Sequence, residues 1–225
     1  MKRFSSKRYL VCFLLIGCMC ALIACGGSNS GSNPKIHTAA ELVDNWGAAL
    51  QYLADGNKRF IENKGITRNT NKEDRDILKD GQKPFAVVVT CADSRVAPEI
   101  YFDQKLGDIF VIRNAGNIAD AAVLGSIEYA VEHLHSPLVV VVGHSKCGAV
   151  TGALSSDGHF PENLQTIIDT IVSNIKGTSD LGAAINNNVN STVNLIKENH
   201  IVEEVGAKVI GAHYNIESGE VTFFN

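Results

Sequence analysis

Two short stretches of the sequence bring together thiol, imidazole, carboxylate and guanidinium side chains. The first reads CADSR and places Cys91, Asp93 and Arg95 at alternate positions directly after an apolar run. The second reads GHSKCG and places His144 three residues before Cys147, after another apolar run. Two thiolates, an imidazole and an oxygen donor form a ligand set that suits tetrahedral zinc. If the two apolar runs form neighbouring strands, these side chains converge on one metal site.

The second stretch also fits part of a serine hydrolase. GHSKC matches the nucleophile elbow of α/β-hydrolases up to its last position, where Cys147 replaces the glycine that the tight turn needs. Asp169 and His213 follow Ser145 in the chain order of a catalytic triad, so this interpretation stays open.

Two further alternatives use the same residues. The spacing of Gly143 and Gly148 is that of a phosphate-binding loop, but Ala149 and Val150 replace the lysine and the hydroxyl residue that would grip phosphate and magnesium. A disulfide between the two cysteines of the quoted stretches is the other alternative. It would give the neighbouring acid, arginine and histidine no role.

The elements that must position these residues alternate along the chain. Short apolar runs rich in β-branched residues predict four strands, and a fifth run after Ser218 and Gly219 predicts a hairpin. Amphipathic spacing predicts helices between the strands, and the polar residues 186–188 are interpreted as a loop or a helix start. The predicted strands are 85–90, 109–112, 138–142, 208–213 and 221–224; the predicted helices are 39–63 with a candidate break at Gly56, 121–135, 163–175 and 191–205.

Strands that alternate with helices predict an α/β fold. We expect a mostly parallel β-sheet of four strands plus an antiparallel C-terminal strand, flanked by helices and preceded by an N-terminal helical arm. Ligands of such sheets gather at the carboxyl ends of the strands. The stretches around Cys91 and His144 follow the first and third runs, so we expect them at that edge.

The start of the chain has the organisation of a bacterial export signal. Residues 1–8 carry four basic side chains and no acidic one, and residues 9–24 are nearly all apolar. Residues 22–25 resemble the lipobox of bacterial lipoproteins, in which the chain is cut before the cysteine and the cysteine carries the lipid. The polar composition of GGSNSGSN (26–33) predicts a flexible linker. An uncleaved anchor helix or an ordinary cleavage site is the alternative.

The predicted organisation therefore has three parts. They are a lipoprotein signal peptide over 1–24, a lipidated Cys25 with its linker over 25–37, and one folded domain over 38–225. We expect the protein to be exported and anchored by lipid to a bacterial membrane, facing the periplasm or the cell surface.

The charge of the chain argues against a nucleic-acid partner. Four basic residues and no acidic ones leave with residues 1–24, so the formal net charge goes from −4 to −8. An acidic domain with no basic stripe is a poor binder of nucleic acid, and we predict none. Of the six cysteines, three leave with the signal, and only Cys91 and Cys147 remain free once Cys25 is lipidated.

Six stretches, in this order along the chain, match the motifs of one known family. They are LADGNKRF (53–60), CADSRVAPE (91–99), GDIFVIRNAGN (107–117), GSIEYAVEHL (125–134), GHSKCGAV (143–150) and GAHYNIESGEV (211–221). Together they resemble the β-class carbonic anhydrases, in the plant-like form, over essentially the whole predicted domain.

The resemblance implies a role for each residue of the two opening stretches. Cys91, His144 and Cys147 match the three permanent ligands of one zinc ion per chain. Asp93 and Arg95 match a dyad in which the arginine holds the carboxylate off the metal, so that water or hydroxide takes the fourth position. In another state of the family the aspartate itself binds zinc.

The resemblance also implies a pocket and a partner. Gln82 matches a glutamine that hydrogen-bonds the substrate, and Phe110 and Tyr129 match aromatic residues that line the pocket. The family builds its site at a dimer interface crossed by N-terminal helices, so a homodimer or a higher homo-oligomer is expected.

The implied activity is the reversible hydration of CO2 to bicarbonate and a proton by a zinc-bound hydroxide. Two alternatives remain open. One is hydrolysis of carbon disulfide or carbonyl sulfide on the same fold, and the other is a non-catalytic surface lipoprotein that holds zinc.

Overall fold

The computed structural model describes Leu42 and residues 45–66, 71–155, 158–175 and 177–224, all within the compact unit His37–Asn225. The predicted signal peptide and Cys25 lie outside these residues. Among the described residues, no helix is both long enough and apolar enough to cross a membrane.

The helices are α1 (Trp46–Ile61), α2 (Lys72–Leu78), α3 (Pro98–Tyr101), α4 (Ala121–Glu128), α5 (Gly148–Leu154), α6 (Glu162–Asn174), α7 (Leu181–Lys197) and α8 (His200–Val205). The strands are β1 (Ala86–Cys91), β2 (Ile109–Asn114), β3 (Leu138–His144), β4 (Lys208–Tyr214) and β5 (Val221–Phe224).

The five strands form one sheet in the order β2-β1-β3-β4-β5. The first four run parallel to their neighbours, and β5 pairs with β4 in the antiparallel direction. The predicted α/β fold is therefore confirmed. Thr90 lies opposite Val142 in the register of β1 and β3, so the carboxyl ends of these two strands are adjacent.

The central strands are covered on both faces. Every residue of β1 and of β3 is buried, as expected for runs of valine in a parallel sheet. Val88 and Val140 pack in one cluster with Leu53 of α1. Val87 and Val139 point to the other face and pack with helices α4 and α7. This layering holds the two strand ends in fixed positions.

Gly56 does not break the first helix, so that expectation is wrong. Helix α1 is continuous from Trp46 to Ile61. A Cβ atom at Gly56 would lie 1.8 Å from the carbonyl oxygen of Phe102, so the glycine allows the helix to approach the backbone there. Glycine is required here by packing.

The predicted helix over 121–135 is only partly regular. It is α-helical to Glu128 and continues as a π-helical turn over Tyr129–His133. His135 then takes a positive φ of 59°, which ends the segment before β3. A π turn has i→i+5 hydrogen bonds and is a local feature that amphipathic spacing does not reveal.

The predicted helix over 191–205 is two helices. Helix α7 begins ten residues earlier, where Asp180 accepts a hydrogen bond from the backbone N–H of Ala183 at 2.7 Å. Asn199 caps the separate helix α8 by accepting from the N–H groups of Ile201 and Val202. Residues 186–188 lie inside α7, so the interpretation as a loop or a helix start is wrong.

Candidate metal centre

Three potential metal ligands lie at the ends of two adjacent strands. Cys91 is the last residue of β1, His144 is the last residue of β3, and Cys147 is the N-cap residue of α5. Their ligand atoms all lie within 4.8 Å of one another, and all three residues are buried. The structure thus brings the three predicted ligands together in one Cys–His–Cys cluster.

Hydrogen bonds from neighbouring elements fix the two strand ends and the loop after β3. The Thr90 hydroxyl donates to the carbonyl oxygen of Val142 at 3.0 Å and so ties β1 to β3. The backbone N–H of Ser145 donates to the carbonyl oxygen of Tyr214 at 3.0 Å. The Ser145 Oγ accepts from the N–H of Ile216 at 3.0 Å. The loop that carries Cys147 is therefore held against the end of β4.

The imidazole of His144 has the orientation that a metal ligand needs. Its Nδ1 lies 3.0 Å from the carbonyl oxygen of Ser145, and since a carbonyl oxygen only accepts, Nδ1 carries the hydrogen. Nε2 therefore has a free lone pair, is buried, and has no hydrogen-bond partner among the described groups. Buried polar atoms are rarely left unpaired, so this nitrogen is suited to bind a cation.

The two cysteines of the cluster are free thiols, and the disulfide alternative is not formed in this structure. A hydrogen bond with Cys147 lowers the pKa of Cys91 to about 4, against the opposing effect of burial. The same hydrogen bond and burial raise the pKa of Cys147. One thiolate is thus available near neutral pH, and a metal must displace the proton of the other.

Asp93 and Arg95 form a two-pronged ion pair beside the cluster. Arg95 Nε donates to Asp93 Oδ1 at 2.9 Å, and Nη2 donates to Oδ2 at 2.7 Å. The guanidinium, mainly through its hydrogen bonds, holds the pKa of Asp93 well below its usual range. Nη2 also approaches the carbonyl oxygen of Lys146 at 3.5 Å and so links the two stretches. Both carboxylate oxygens face Arg95, and Asp93 is not a member of the cluster.

Arg113 supports the same loop and was not singled out from the sequence. Its Nε donates to the carbonyl oxygen of Cys91 at 3.1 Å, and its Nη2 donates to that of Asp93 at 2.7 Å. Arg113 lies opposite Thr90 in the register of β2 and β1. Its position near the carboxyl end of β2, a neighbour of β1, could have identified Arg113 once the strand order was known.

The predicted pocket residues lie elsewhere in the same chain. Gln82 is exposed in the segment between α2 and β1, before the amino end of β1. Phe110 is opposite Val87 near that end, and its ring centroid is 6.3 Å from that of Tyr129, which is 46% exposed. The length of β1 alone separates this end from Cys91 by about 17 Å, at a rise of about 3.3 Å per residue.

The residues of the serine-hydrolase alternative do not form a triad. Nδ1 of His213 donates to Oδ1 of Asn186 at 3.1 Å, and Asp169 accepts from Gln165 at 2.8 Å within helix α6. The Ser145 hydroxyl is bonded to the backbone of Ile216, as described above. The structure therefore removes the grounds for a serine nucleophile.

Comparison with known proteins identifies the family. A family model described as carbonic anhydrase matches residues 86–221. The chain is 39% identical over 185 residues to carbonic anhydrase 2 of Mycobacterium tuberculosis, covering 76% of this chain and 89% of that protein. It is 40% identical over 187 residues to the carbonic anhydrase of Mycolicibacterium smegmatis, covering 77% and 91%.

Several solved β-carbonic anhydrases have the same fold as this chain. The enzyme of Aspergillus fumigatus superposes with a TM-score of 0.63 at 27% identity, covering 68% of this chain and 81% of that one. A tetrameric enzyme of Sordaria macrospora superposes with a TM-score of 0.62 at 26% identity, covering 79% and 98%. With a matching family model, close curated relatives and the Cys–His–Cys cluster at the expected strand ends, the chain belongs to the β-class carbonic anhydrases.

Proposed function

We propose that this chain catalyses the reversible hydration of CO2 to bicarbonate and a proton, with one zinc ion held by Cys91, His144 and Cys147. The observation that carries the proposal is the buried cluster of three donors beside a carboxylate that Arg95 holds. Three protein ligands leave one tetrahedral position for water, which is the arrangement of a catalytic rather than a structural zinc site.

Bound zinc supplies a water molecule of lowered pKa, so that a hydroxide nucleophile is available near neutral pH. The residues of the chain orient that nucleophile. Asp93 stays ionised in the neutral range because Arg95 lowers its pKa, so its oxygens can only accept hydrogen bonds. An acceptor at this position directs the nucleophile's lone pair away from Asp93 and toward the substrate. Arg95 keeps the carboxylate in place through two parallel hydrogen bonds.

The substrate pocket requires a second copy of the chain. Gln82, Phe110 and Tyr129 lie toward the amino end of the strands, whereas the Cys–His–Cys cluster lies at the carboxyl end. Strand β2 is at the edge of the sheet, and its apolar residues 109–112 are only partly buried. We infer that a partner covers this edge and receives Gln82 as a donor to the oxygen that gains charge. The tetrameric relative from Sordaria macrospora supports a homo-oligomer.

Mixed assemblies of two inactive variants test the shared pocket. Gln82→Ala is expected to lower turnover about a hundredfold through loss of an oxyanion donor, and Cys147→Ser to abolish it through loss of zinc. Co-expression of the two with different affinity tags should restore about a quarter of wild-type activity, because half of randomly mixed dimers are heterodimers with one intact site of two.

The matched control for this experiment pairs Cys147→Ser with Asp93→Asn. Both changes fall on the same half of the site, so their heterodimer contains no intact site and should stay inactive. A mixture of the Gln82 and Cys147 variants that is no more active than the mean of its parents would show that each chain builds its pocket alone.

The reaction itself is tested by stopped-flow CO2 hydration with zinc quantified in the same sample. Rapid turnover that is lost on chelation and restored by zinc supports the proposal. A zinc-loaded protein that hydrolyses carbonyl sulfide or carbon disulfide and leaves CO2 unchanged would assign it to the related hydrolases. Full zinc occupancy with no turnover of any of the three would indicate a non-catalytic zinc-holding protein.

We propose in addition that the protein is exported and attached to a bacterial membrane by lipid on Cys25. The support comes from the sequence alone: a basic segment, an apolar segment, a lipobox-like tetrapeptide and a polar linker in that order. Cys25→Ser is expected to abolish incorporation of radiolabelled fatty acid. Labelling that persists in this variant would contradict the assignment.

A further inference from the structure

A buried amide links helix α7 to the loop that follows β2. Asn188 is fully buried, and its Nδ2 donates to the carbonyl oxygen of Gly116 at 2.7 Å. Its Oδ1 accepts from Nδ2 of Asn174, on α6, at 2.9 Å. The carbonyl oxygen of Gly116 only accepts, so the amide of Asn188 has one orientation. Both polar atoms of this buried amide, Oδ1 and Nδ2, therefore have a hydrogen-bond partner.

Gly116 in turn contacts a ligand of the cluster. Its backbone N–H donates to Sγ of Cys91 at 3.4 Å. The residue has a positive φ of 75°, and a Cβ atom there would lie 2.6 Å from Cδ1 of Ile171. Only glycine fits this conformation and this space. Gly116 thus accepts a hydrogen bond from Asn188 through its carbonyl oxygen and donates one to Sγ of Cys91 through its N–H.

The bond to the sulfur bears on metal binding. A thiolate that accepts an amide hydrogen bond is fixed in direction and donates less charge to the metal. Partners of this kind, one contact removed from the ion, orient the ligands and tune the metal. Two thiolates already donate to the proposed zinc, so a donor to one of them preserves the positive charge that activates water.

We propose that Asn188 is a positioning residue of the metal centre, which acts through Gly116 on the sulfur of Cys91. The inference rests on the proposed zinc site. It assigns a function to a residue on a helix whose sequence contains a polar run, AINNNVN, with no evident catalytic motif. Asn188 touches neither substrate nor metal. Its role is to hold the Gly116 backbone where its N–H reaches Cys91.

The test compares Asn188→Leu with Thr192→Val in the full-length protein. Leucine has a similar volume and cannot donate to Gly116. Thr192 lies on the same helix, is 1% exposed, and its hydroxyl has no hydrogen-bond partner among the described groups. Its replacement therefore changes a buried polar atom on α7 without touching the link to Cys91. Zinc affinity is measured by competition with a chelator, and cobalt replaces zinc for spectroscopy.

Asn188→Leu should bind zinc about tenfold more weakly than wild type. Its thiolate-to-cobalt charge-transfer band should move to longer wavelength, because a sulfur without its hydrogen bond holds its electrons less tightly. Thr192→Val should match wild type in both measurements. An unshifted band and unchanged affinity in Asn188→Leu would overturn the inference, even if turnover fell.

If circular dichroism shows that Asn188→Leu is unfolded, Asn174→Ala is measured instead, because it removes the amide that donates to Oδ1 of Asn188. That variant should weaken zinc binding and shift the cobalt charge-transfer band in the same directions as Asn188→Leu, by smaller amounts. If zinc affinity and the band both stay at their wild-type values, the inference is overturned. If wild type binds neither zinc nor cobalt, the proposed function fails and the inference fails with it.

Discussion

Replacing Cys147 with serine is expected to remove zinc from the protein and to abolish CO2 hydration. The serine hydroxyl stays protonated near neutral pH and cannot replace a buried thiolate as a ligand. If three ligands share a zinc-binding free energy of about 10–16 kcal/mol, the loss of one costs about 4 kcal/mol, or roughly a thousandfold in Kd. Zinc content by atomic absorption and turnover by stopped-flow should fall together.

Ser145→Ala is the control for this change. It alters the adjacent loop and removes the bond from the N–H of Ile216, but it keeps the carbonyl oxygen that orients His144. We expect a loss of about 1 kcal/mol of stability, with zinc content and turnover retained. Loss of turnover in Ser145→Ala with zinc still bound would revive the serine nucleophile. Full zinc occupancy in Cys147→Ser would remove Cys147 from the ligand set.

Asp93→Asn should separate metal binding from catalysis. Asparagine has the same shape, but its amide nitrogen carries hydrogens and cannot accept the two parallel bonds that Arg95 donates to Asp93. The nucleophile then loses its charged acceptor. We expect a fall in kcat of about a hundredfold to a thousandfold, the lower part of the range for loss of a general acid–base group. Zinc content should stay at the wild-type level, because Asp93 is not a member of the Cys–His–Cys cluster.

The chain offers a matched control in Asp180→Asn. Asp180 caps helix α7 through a bond from Ala183, and asparagine caps a helix as well as aspartate does. The chemical change is the same, but it lies at an exposed helix start, so turnover should not change. An Asp93→Asn variant that keeps full turnover with zinc bound would show that Asp93 has no part in the reaction.

The parts of the fold that depend on local pattern were predictable. Runs of valine located β1 and β3, and the ligand residues directly after them located the edge where a metal could bind. These features follow from burial and periodicity, which a single sequence carries. That the first and third runs are neighbours was only a condition for the metal site, and the structure meets it because β1 pairs with β3.

The parts that depend on contacts between distant residues were not predictable. The polar run 186–188 looked like a loop, because nothing local shows that Asn188 is paired with Asn174 and Gly116. Arg113 looked like one residue of a motif until the structure showed that its Nε donates to the carbonyl oxygen of Cys91. Gly56 was predicted as a candidate helix break. Its actual role, a close approach to the backbone of Phe102, involves a residue 46 positions later and leaves no local signal. Each error concerns a side chain or backbone whose partner lies far away in the sequence.

The position of the proposed zinc ligands has a consequence for folding. Cys91 and His144 end the two central strands and are separated by a long stretch of chain. A zinc ion bonded to both is a crosslink that closes a loop of about fifty residues, and a crosslink of that length stabilises by about 4 kcal/mol on the chain-entropy model. The melting temperature of the whole sheet should therefore rise with the concentration of free zinc. In zinc-poor surroundings the chain would be both inactive and easier to unfold.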